Sequence, residues 1–291
     1  MAAALMVATA SADTLPTVPH YKCYQITGTA PVPAVSVNLK TQFGLDARVV
    51  VGAPTRLCLA ATKNDEGDLD VPDVECYQIT GQPAGHSVNL LTQFGTTTNV
   101  VVGLPKELCV PVALAIYPDA PTAPAAAPHY ERFEIPGTAP TVSAVTLQTK
   151  VGTVTYTEPN MTVNAPTRLC LPAVKNGEGT LSDSEPHVQC FGITGPAAAA
   201  IPNLNLRTQF DVAPPLQENV AVGIPKELCV PALKEVLVGG IAEAPDADTS
   251  TLGATASGGS SGTTYAVIAG IVAGALMLGA GGWYARRRWL S

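Results

Sequence analysis

The heptapeptide Pro105-Lys106-Glu107-Leu108-Cys109-Val110-Pro111 occurs twice in this chain, and its second copy fills residues 225–231 letter for letter. A second motif behaves in the same way, since Pro-Thr-Arg-Leu-Cys-Leu occupies residues 54–59 and again residues 166–171. Both motifs recur at a similar distance along the chain. A block of roughly 110 residues is therefore duplicated, which is the pattern of a repeat protein.

Each block is itself double. The sequence Cys-Tyr-Gln-Ile-Thr-Gly stands at residues 23–28 and 76–81, and Thr-Gln-Phe-Gly stands at residues 41–44 and 92–95. The chain therefore contains four half-units, which we name a, b, a′ and b′ in chain order. They cover about residues 19–61, 72–112, 129–173 and 186–232.

Three short strands are predicted in each half-unit, each ended by Gly or Pro. In the middle strand of half-unit a, Val37, Leu39 and Phe43 alternate with polar residues, a period of two that predicts one buried face. In the last strand, Cys58 lies on the face opposite to Leu57 and its apolar neighbours. The sequence thus predicts an all-β protein with two tandem antiparallel domains, sandwich or barrel-like, each an internal duplication of a three-stranded unit.

Composition supports this fold class and excludes one class of partner. The 291 residues include 26 Pro and 26 Gly, and only 13% are charged, which is typical of short strands and many turns. The net charge of −7 argues against a nucleic acid partner, because a phosphate backbone requires a clustered basic surface.

The two ends of the chain predict export and membrane anchoring. Residues 1–12 resemble a partial signal peptide that ends in a small-residue cleavage pattern. Residues 265–285 are uncharged up to Ala285 and long enough to cross a lipid bilayer as one helix. Arg286, Arg287 and Arg288 follow at once, so the positive-inside rule places residues 286–291 in the cytoplasm and the rest of the chain outside.

The predicted domain boundaries follow from these features. We expect a first β domain at residues 13–116, a Pro/Ala linker at 117–128, a second β domain at 129–235 and a flexible stalk at 236–264. In the membrane helix, Ala266, Gly270 and Gly274 form a row of small residues that could allow a homodimer, although glycine-rich anchors also occur without one.

The seven cysteines of an exported chain predict disulfides. The simplest pairing lies within half-units and joins Cys23 to Cys58, Cys76 to Cys109 and Cys190 to Cys229. A pairing of Cys58 to Cys76 with Cys23 to Cys109 stays open on the sequence alone.

The odd count of cysteines has its origin in half-unit a′. Arg132 stands there where the repeat has a cysteine, so the first pairing leaves Cys170 as a free thiol. We expect Arg132 to face solvent.

Taken together, the motifs of residues 19–232 resemble an uncharacterised bacterial extracellular repeat family of unknown function. The shared pattern is Cys-Tyr-x-Ile, then Gln-Phe-Gly, then Leu-Cys-x-Pro, and half-unit a′ departs from it with Thr149-Lys150-Val151-Gly152. The resemblance implies no activity. Residues 258–262, with the helix and arginines after them, also resemble a Gly-Gly type sorting signal of bacterial surface proteins.

No catalytic residue, cofactor site or metal site is predicted. Residues 63–70 carry several acids near a glycine and could be a calcium loop, but the counterpart at 175–182 keeps the turn and loses most acids, which favours a plain turn.

Three histidines precede the first-strand cysteine position of separate half-units and are interpreted as structural: His20, His129 and His187. Residues 182–187 contain serine, aspartate and histidine, but adjacent positions on a loop do not assemble a triad.

These observations predict a non-enzymatic cell-surface protein with a structural or adhesive role, whose partners are the lipid bilayer and an envelope protein or glycan. The alternative is a module that binds a glycan or a protein ligand. Because both tryptophans belong to the anchor, a lectin would have to stack sugars on the remaining aromatic residues. The candidates are Tyr21, Tyr117, Tyr130 and Tyr156.

Overall fold

The computed structural model describes residues 19–28, 35–178, 181, 186–196, 199–211 and 217–237. This part is all β, as predicted, and every strand pairing in it is antiparallel. The strands are β1 (His20–Thr27), β2 (Val35–Thr41), β3 (Gly44–Lys63), β4 (Glu66–Gly67), β5 (Val74–Ile79), β6 (Ser87–Thr92), β7 (Gly95–Val101), β8 (Pro105–Pro111), β9 (Ala113–Ile116), β10 (His129–Glu134), β11 (Val145–Val151), β12 (Val154–Lys175), β13 (His187–Thr194), β14 (Leu204–Arg207) and β15 (Gln217–Leu237).

Eight of these strands close into a ring. The pairing order is β1, β3, β5, β8, β10, β12, β13 and β15, and β15 pairs with β1 to complete the circle. Each half-unit contributes two neighbouring strands, namely the strand of its first cysteine position and the strand of its last. The half-units therefore follow one another around the ring in the order a, b, a′, b′.

This architecture corrects the prediction of two tandem domains at 13–116 and 129–235. All the described residues belong to one compact unit. Within the ring the two blocks are joined twice, by β8 with β10 and by β15 with β1. One block supplies only four of the eight strands, and alone it would leave two unpaired strand edges, which the second block covers.

The predicted linker at 117–128 has no regular secondary structure, but it is held against half-unit b′. The Tyr117 amide donates a hydrogen bond to the carbonyl of Asn203, and the Asn205 side chain donates one to the carbonyl of Asp119. The segment is therefore a packed connection inside one unit and not a spacer between two domains.

Four hairpins cover the outside of the ring, one from each half-unit. Three of them are β2 with the start of β3, β6 with β7, and β11 with the start of β12, and the fourth is β14 with the start of β15. The first strand of each hairpin also pairs with the half-unit two places further around the ring. Half-units a and a′ exchange the pairings β2–β12 and β11–β3, and b and b′ exchange β6–β15 and β14–β9.

Four similar apolar clusters lie between the ring and these hairpins. On half-unit b, Tyr77 and Leu108 from the ring pack with Leu39 and Val49 from the hairpin of a, and Phe210 from the hairpin tip of b′ completes the cluster. The other three clusters follow the same cyclic rule. Their tip residues are Phe43, Phe94 and Val151.

This rule explains the Gln-Phe-Gly motif. The phenylalanine of one half-unit fills a cluster on the opposite half-unit, where it makes an edge-to-face contact with an aromatic residue of the ring, as Phe210 does with Tyr77 at 5.0 Å between ring centroids. Half-unit a′ has Val151 at this position and so supplies a smaller side chain to the cluster on a.

Several predicted segments lie outside the described residues. They are the partial signal peptide at 1–12, nearly all of the stalk at 236–264, the helix at 265–285 and the tail at 286–291. The described part of the chain contains no helix that is long and apolar enough to span a membrane.

Candidate functional site

The inside of the ring holds the cysteines. Three disulfides join Cys23 to Cys58, Cys76 to Cys109 and Cys190 to Cys229, the same three pairs that the sequence favours. Each pair consists of directly opposed residues on two neighbouring strands of one half-unit, with Cα atoms 3.8–3.9 Å apart. Cys170 forms no disulfide and is buried.

Strand alternation explains this placement. Side chains of successive residues point to opposite faces of a strand, so the apolar residues that flank each cysteine turn outward to the hairpin clusters while the cysteine turns inward. The cysteines form an interior cluster together with Tyr21, Val74, Tyr130 and Val188.

Arg132 corrects a sequence prediction, because it does not face solvent. Only 1% of its surface is exposed, and it lies opposite Cys170 inside the ring. Its Nη1 atom donates to Glu107 Oε2 at 2.7 Å, and its Nη2 atom donates to Glu227 Oε2 at 2.5 Å. The arginine thus occupies the eighth cysteine position and bridges two buried carboxylates.

The two glutamates have further donors. Arg56 Nε lies 2.9 Å from Glu107 Oε1, and the hydroxyls of Thr55 and Thr167 donate to Glu107 and Glu227 at 2.8 Å. Burial alone would raise the pKa of Glu227, but Arg132 and Arg56 outweigh it and hold this pKa at about 2. The same balance lowers the pKa of Glu107. Both carboxylates are therefore ionised across the physiological pH range.

The Cys170 thiol lies beside this charge cluster. Burial raises its pKa to about 11, although the guanidinium of Arg132 acts in the opposite direction. At neutral pH the group is a thiol, and only a small fraction is the nucleophilic thiolate.

The interior leaves almost no free space. The cavity among Tyr21, Tyr130, Arg132 and the cysteines measures about 20 Å³, which is too small for an organic ligand. Larger concave surfaces lie elsewhere on the described domain. We define the basic groove as the surface of about 540 Å³ that is lined by Arg56, Lys106 and Arg168 together with Glu107.

A second set of buried ionisable side chains lies under the hairpins. Lys22 Nζ forms an ion pair with Glu158 Oε2 at 2.5 Å. At the corresponding place in the opposite half-unit, Glu131 hydrogen bonds to Asp46, so two carboxyl groups meet. Burial, with the nearby charge of Asp46, raises the pKa of Glu131 to about 8. The two acids therefore share a proton at neutral pH.

The suggested calcium loop at 63–70 forms a tight turn between β3 and β4. Asn64 and Asp65 both have positive φ angles, as a two-residue hairpin turn requires. Its acids point to separate partners, since Glu66 pairs with Lys63 and Asp70 pairs with Lys150. This geometry agrees with the interpretation as a turn.

The three histidines occupy equivalent structural positions. Each hydrogen bonds to the glutamine of a Gln-Phe motif in the next half-unit around the ring, at 2.6–2.9 Å. The pairs are His20 with Gln93, His187 with Gln42 and His129 with Gln209. They fix the hairpins on the ring at three separate places and do not form one site. Residues 182–185 lie outside the described residues.

The aromatic candidates for sugar stacking are mostly unavailable. Tyr21 and Tyr130 are buried inside the ring, and Tyr156 packs against an apolar cluster. Tyr117 is 49% exposed.

Among the described residues, three potential metal ligands come within 4.8 Å of one another at Cys23, Glu227 and Cys229. Both sulfurs of that group belong to disulfides. They therefore lack the thiolates that bind a metal ion.

The charge cluster around Arg132 was missed by sequence reasoning, although a signal was present. Glu107 and Glu227 each stand two residues before a cysteine, and a period of two places them on the same strand face as the sulfur. Once the cysteines are placed inside, both glutamates must be inside as well, and they need a cation.

No family model, no curated protein and no solved structure matches this chain. The resemblance to an extracellular repeat family stays a prediction.

Proposed function

We propose that this protein is a non-enzymatic structural or adhesion protein of the cell surface, held on a stalk by the helix at 265–285. The predicted partial signal peptide, the basic tail and the disulfides support this proposal together. Disulfides persist in oxidising compartments outside the cytoplasm, and three are present in the described domain.

One observation carries the structural role. The interior of the ring, where a closed sheet could hold a ligand, is filled by three cross-links and by the Arg132 ion pairs. Such an interior favours a stiff body that resists unfolding outside the cell, because cross-links restrict the unfolded chain and the two ends of the ring are paired to each other.

Protease treatment of intact cells tests the topology. We expect the domain at 19–237 to be removed or released while a small carboxy-terminal fragment stays with the membrane. Permeabilised cells are the control, in which the cytoplasmic tail also becomes accessible. Complete protection in intact cells would contradict the proposal.

The second candidate function is the binding of a glycan or protein ligand, and the basic groove favours it. Arg56, Lys106 and Arg168 give this concave surface an excess of donors, which suits an anionic group such as a uronate or sulfate. Arg56 already pairs with Glu107, and Lys106 and Arg168 lie 3.6 and 4.0 Å from Glu134, so an acidic ligand would compete with these carboxylates.

Binding of the full-length chain, purified in detergent, to an array of acidic and neutral glycans separates the two functions. The variant Lys106→Ala should lose binding if the groove is the site. The matched control is Lys226→Ala, because Lys226 holds the same position in the repeat and does not line the groove. Absence of any saturable ligand favours the structural role.

A further inference from the structure

The sulfurs inside the ring form a nearly continuous series. We define the sulfur arc as the Sγ atoms, in spatial order, of Cys170, Cys190, Cys229, Cys23, Cys58, Cys76 and Cys109. Bonded pairs alternate with close non-bonded pairs along this arc. The non-bonded Sγ separations are 3.5 Å for Cys170 with Cys190, 3.7 Å for Cys229 with Cys23 and 3.9 Å for Cys58 with Cys76.

This spacing has a chemical consequence. A thiolate breaks a disulfide by attacking one of its sulfurs, and the reaction needs contact between the attacking sulfur and its target. Cys170 is in van der Waals contact with one sulfur of the Cys190–Cys229 bridge. Cys229, which the first exchange would release, contacts Cys23 of the next bridge, and Cys58, which the second exchange would release, contacts Cys76 of the last one.

We propose that the single thiol migrates along the sulfur arc, from Cys170 to Cys109, by intramolecular thiol–disulfide exchange. In the first step the Cys170 thiol loses its proton and its sulfur bonds to Cys190. The Cys190–Cys229 bond breaks, and its electron pair leaves on Cys229, which takes up a proton. The protein keeps three disulfides and one thiol, so neither an oxidant nor a reductant is needed.

Two further steps complete the migration. Cys229 attacks Cys23 and releases Cys58, and Cys58 then attacks Cys76 and releases Cys109. The end state contains the bridges Cys170–Cys190, Cys229–Cys23 and Cys58–Cys76. These bridges run between half-units, whereas the bridges of the starting state lie within them.

Arg132 lies next to the free thiol and next to the last bridge of the arc. It stands opposite Cys170 on one side, and its Nη1 atom lies 3.8 Å from Cys76 Sγ on the other. A cysteine at this place would pair with Cys170 and leave no thiol, so the arginine creates the thiol on which migration depends. Its positive charge also favours the thiolate at Cys170, whereas burial and the carboxylates of Glu227 and Glu107 oppose it.

The rate should depend steeply on pH. The pKa of Cys170 is about 11, so at any pH below this value the thiolate fraction increases about tenfold when the pH is raised by one unit. Migration is therefore slow at neutral pH and faster in alkali.

Peptide mapping of the full-length protein tests the proposal. The protein is incubated under native conditions at a series of pH values, quenched in acid, unfolded, alkylated and digested with pepsin at acidic pH without reduction. We expect alkylation of Cys229, Cys58 and Cys109 to grow with time beside that of Cys170, together with the three linkages between half-units. The rate should rise about tenfold per pH unit.

Two variants make the result decisive. Cys170→Ala has no thiol, so its three bridges should stay unchanged under the same treatment. The double variant Cys190→Ala/Cys229→Ala keeps the thiol but interrupts the arc, and Cys23–Cys58 and Cys76–Cys109 should then persist.

Two outcomes would overturn the proposal. One is alkylation of Cys170 alone throughout the series. The other is the appearance of linkages between sulfurs that are not neighbours in the arc, such as Cys23 to Cys109, which would show exchange through unfolded chains.

Discussion

Arg132 and Glu227 lie on strands that are not neighbours, β10 and β15, and yet their Nη2 and Oε2 atoms are 2.5 Å apart. The ion pair therefore crosses the interior of the ring. Arg132 also contacts Glu107 on the adjacent strand β8 at 2.7 Å. One side chain thus connects half-units b, a′ and b′ at the place where the repeat loses a disulfide.

This connection predicts that Arg132→Met strongly reduces the stability of the fold. The substitution leaves two buried carboxylates with less compensation, and we expect a loss of about 3–5 kcal/mol in the free energy of unfolding. Chemical unfolding of the full-length protein measures it. The matched control is Arg168→Met, because that side chain is partly exposed and lies 4.0 Å from Glu134, so its loss should cost about 0–1 kcal/mol. Similar losses for both variants would contradict the assignment.

The shared proton of Glu131 and Asp46 predicts a pH dependence. The pKa of Glu131 is raised from 4.5 to about 8 in the folded state. Between these values the folded protein keeps a proton that the unfolded chain releases, so a rise in pH favours unfolding. Below about pH 4.5 and above about pH 8, the contribution of Glu131 to the free energy of unfolding no longer changes with pH.

Glu131→Gln tests this dependence because glutamine stays uncharged. Thermal unfolding midpoints of the two proteins should diverge as the pH rises from about 4.5 to 8, with the variant more stable at the upper end. His20 and His187, with pKa values lowered to about 4, and Asp73, with its pKa raised to about 7, contribute equally to both proteins. A constant difference across this range would contradict the shared proton.

The hairpin tips predict a graded series of core substitutions. Phe210 is buried, and Phe210→Ala should reduce the free energy of unfolding by about 3–5 kcal/mol. Phe43 holds the same repeat position but is only partly buried, so Phe43→Ala should cost less. Denaturant titration of both variants measures the difference. Equal effects would contradict the link between the burial of a tip residue and its contribution to stability.

The missing bridge predicts local differences in dynamics. Closing loops with sequence separations of 33–39 residues contributes about 3–4 kcal/mol per bridge in the chain-entropy model. Half-unit a′ has ion pairs in place of that restraint. Amide hydrogens of the β10–β12 pairing should therefore exchange faster on warming than those of the β1–β3 pairing. Hydrogen-exchange mass spectrometry compares the two, and faster exchange in β1–β3 would contradict the prediction.

The sequence predicts the local features well, because they repeat. The three cysteine pairs follow from one pattern applied to each half-unit, and the inward face follows from the alternation around Cys58. The closure of the ring was not predictable in this way. Tyr21 on β1 and Cys229 on β15 are paired across almost the whole described chain, and nothing in either strand specifies that partner. Arg132 was misplaced because a charge was judged alone, without the two glutamates that share its face.

The pairing of β1 with β15 also determines when the domain can be completed during synthesis. The amino-terminal strand emerges first, and its second neighbour is encoded at residues 217–237, so one edge of β1 stays open while nearly all of the domain is made. An open edge can pair with the wrong strand of another chain. The growing polypeptide therefore needs protection until its last strand arrives, and any truncation that removes β15 exposes both that edge and Arg132.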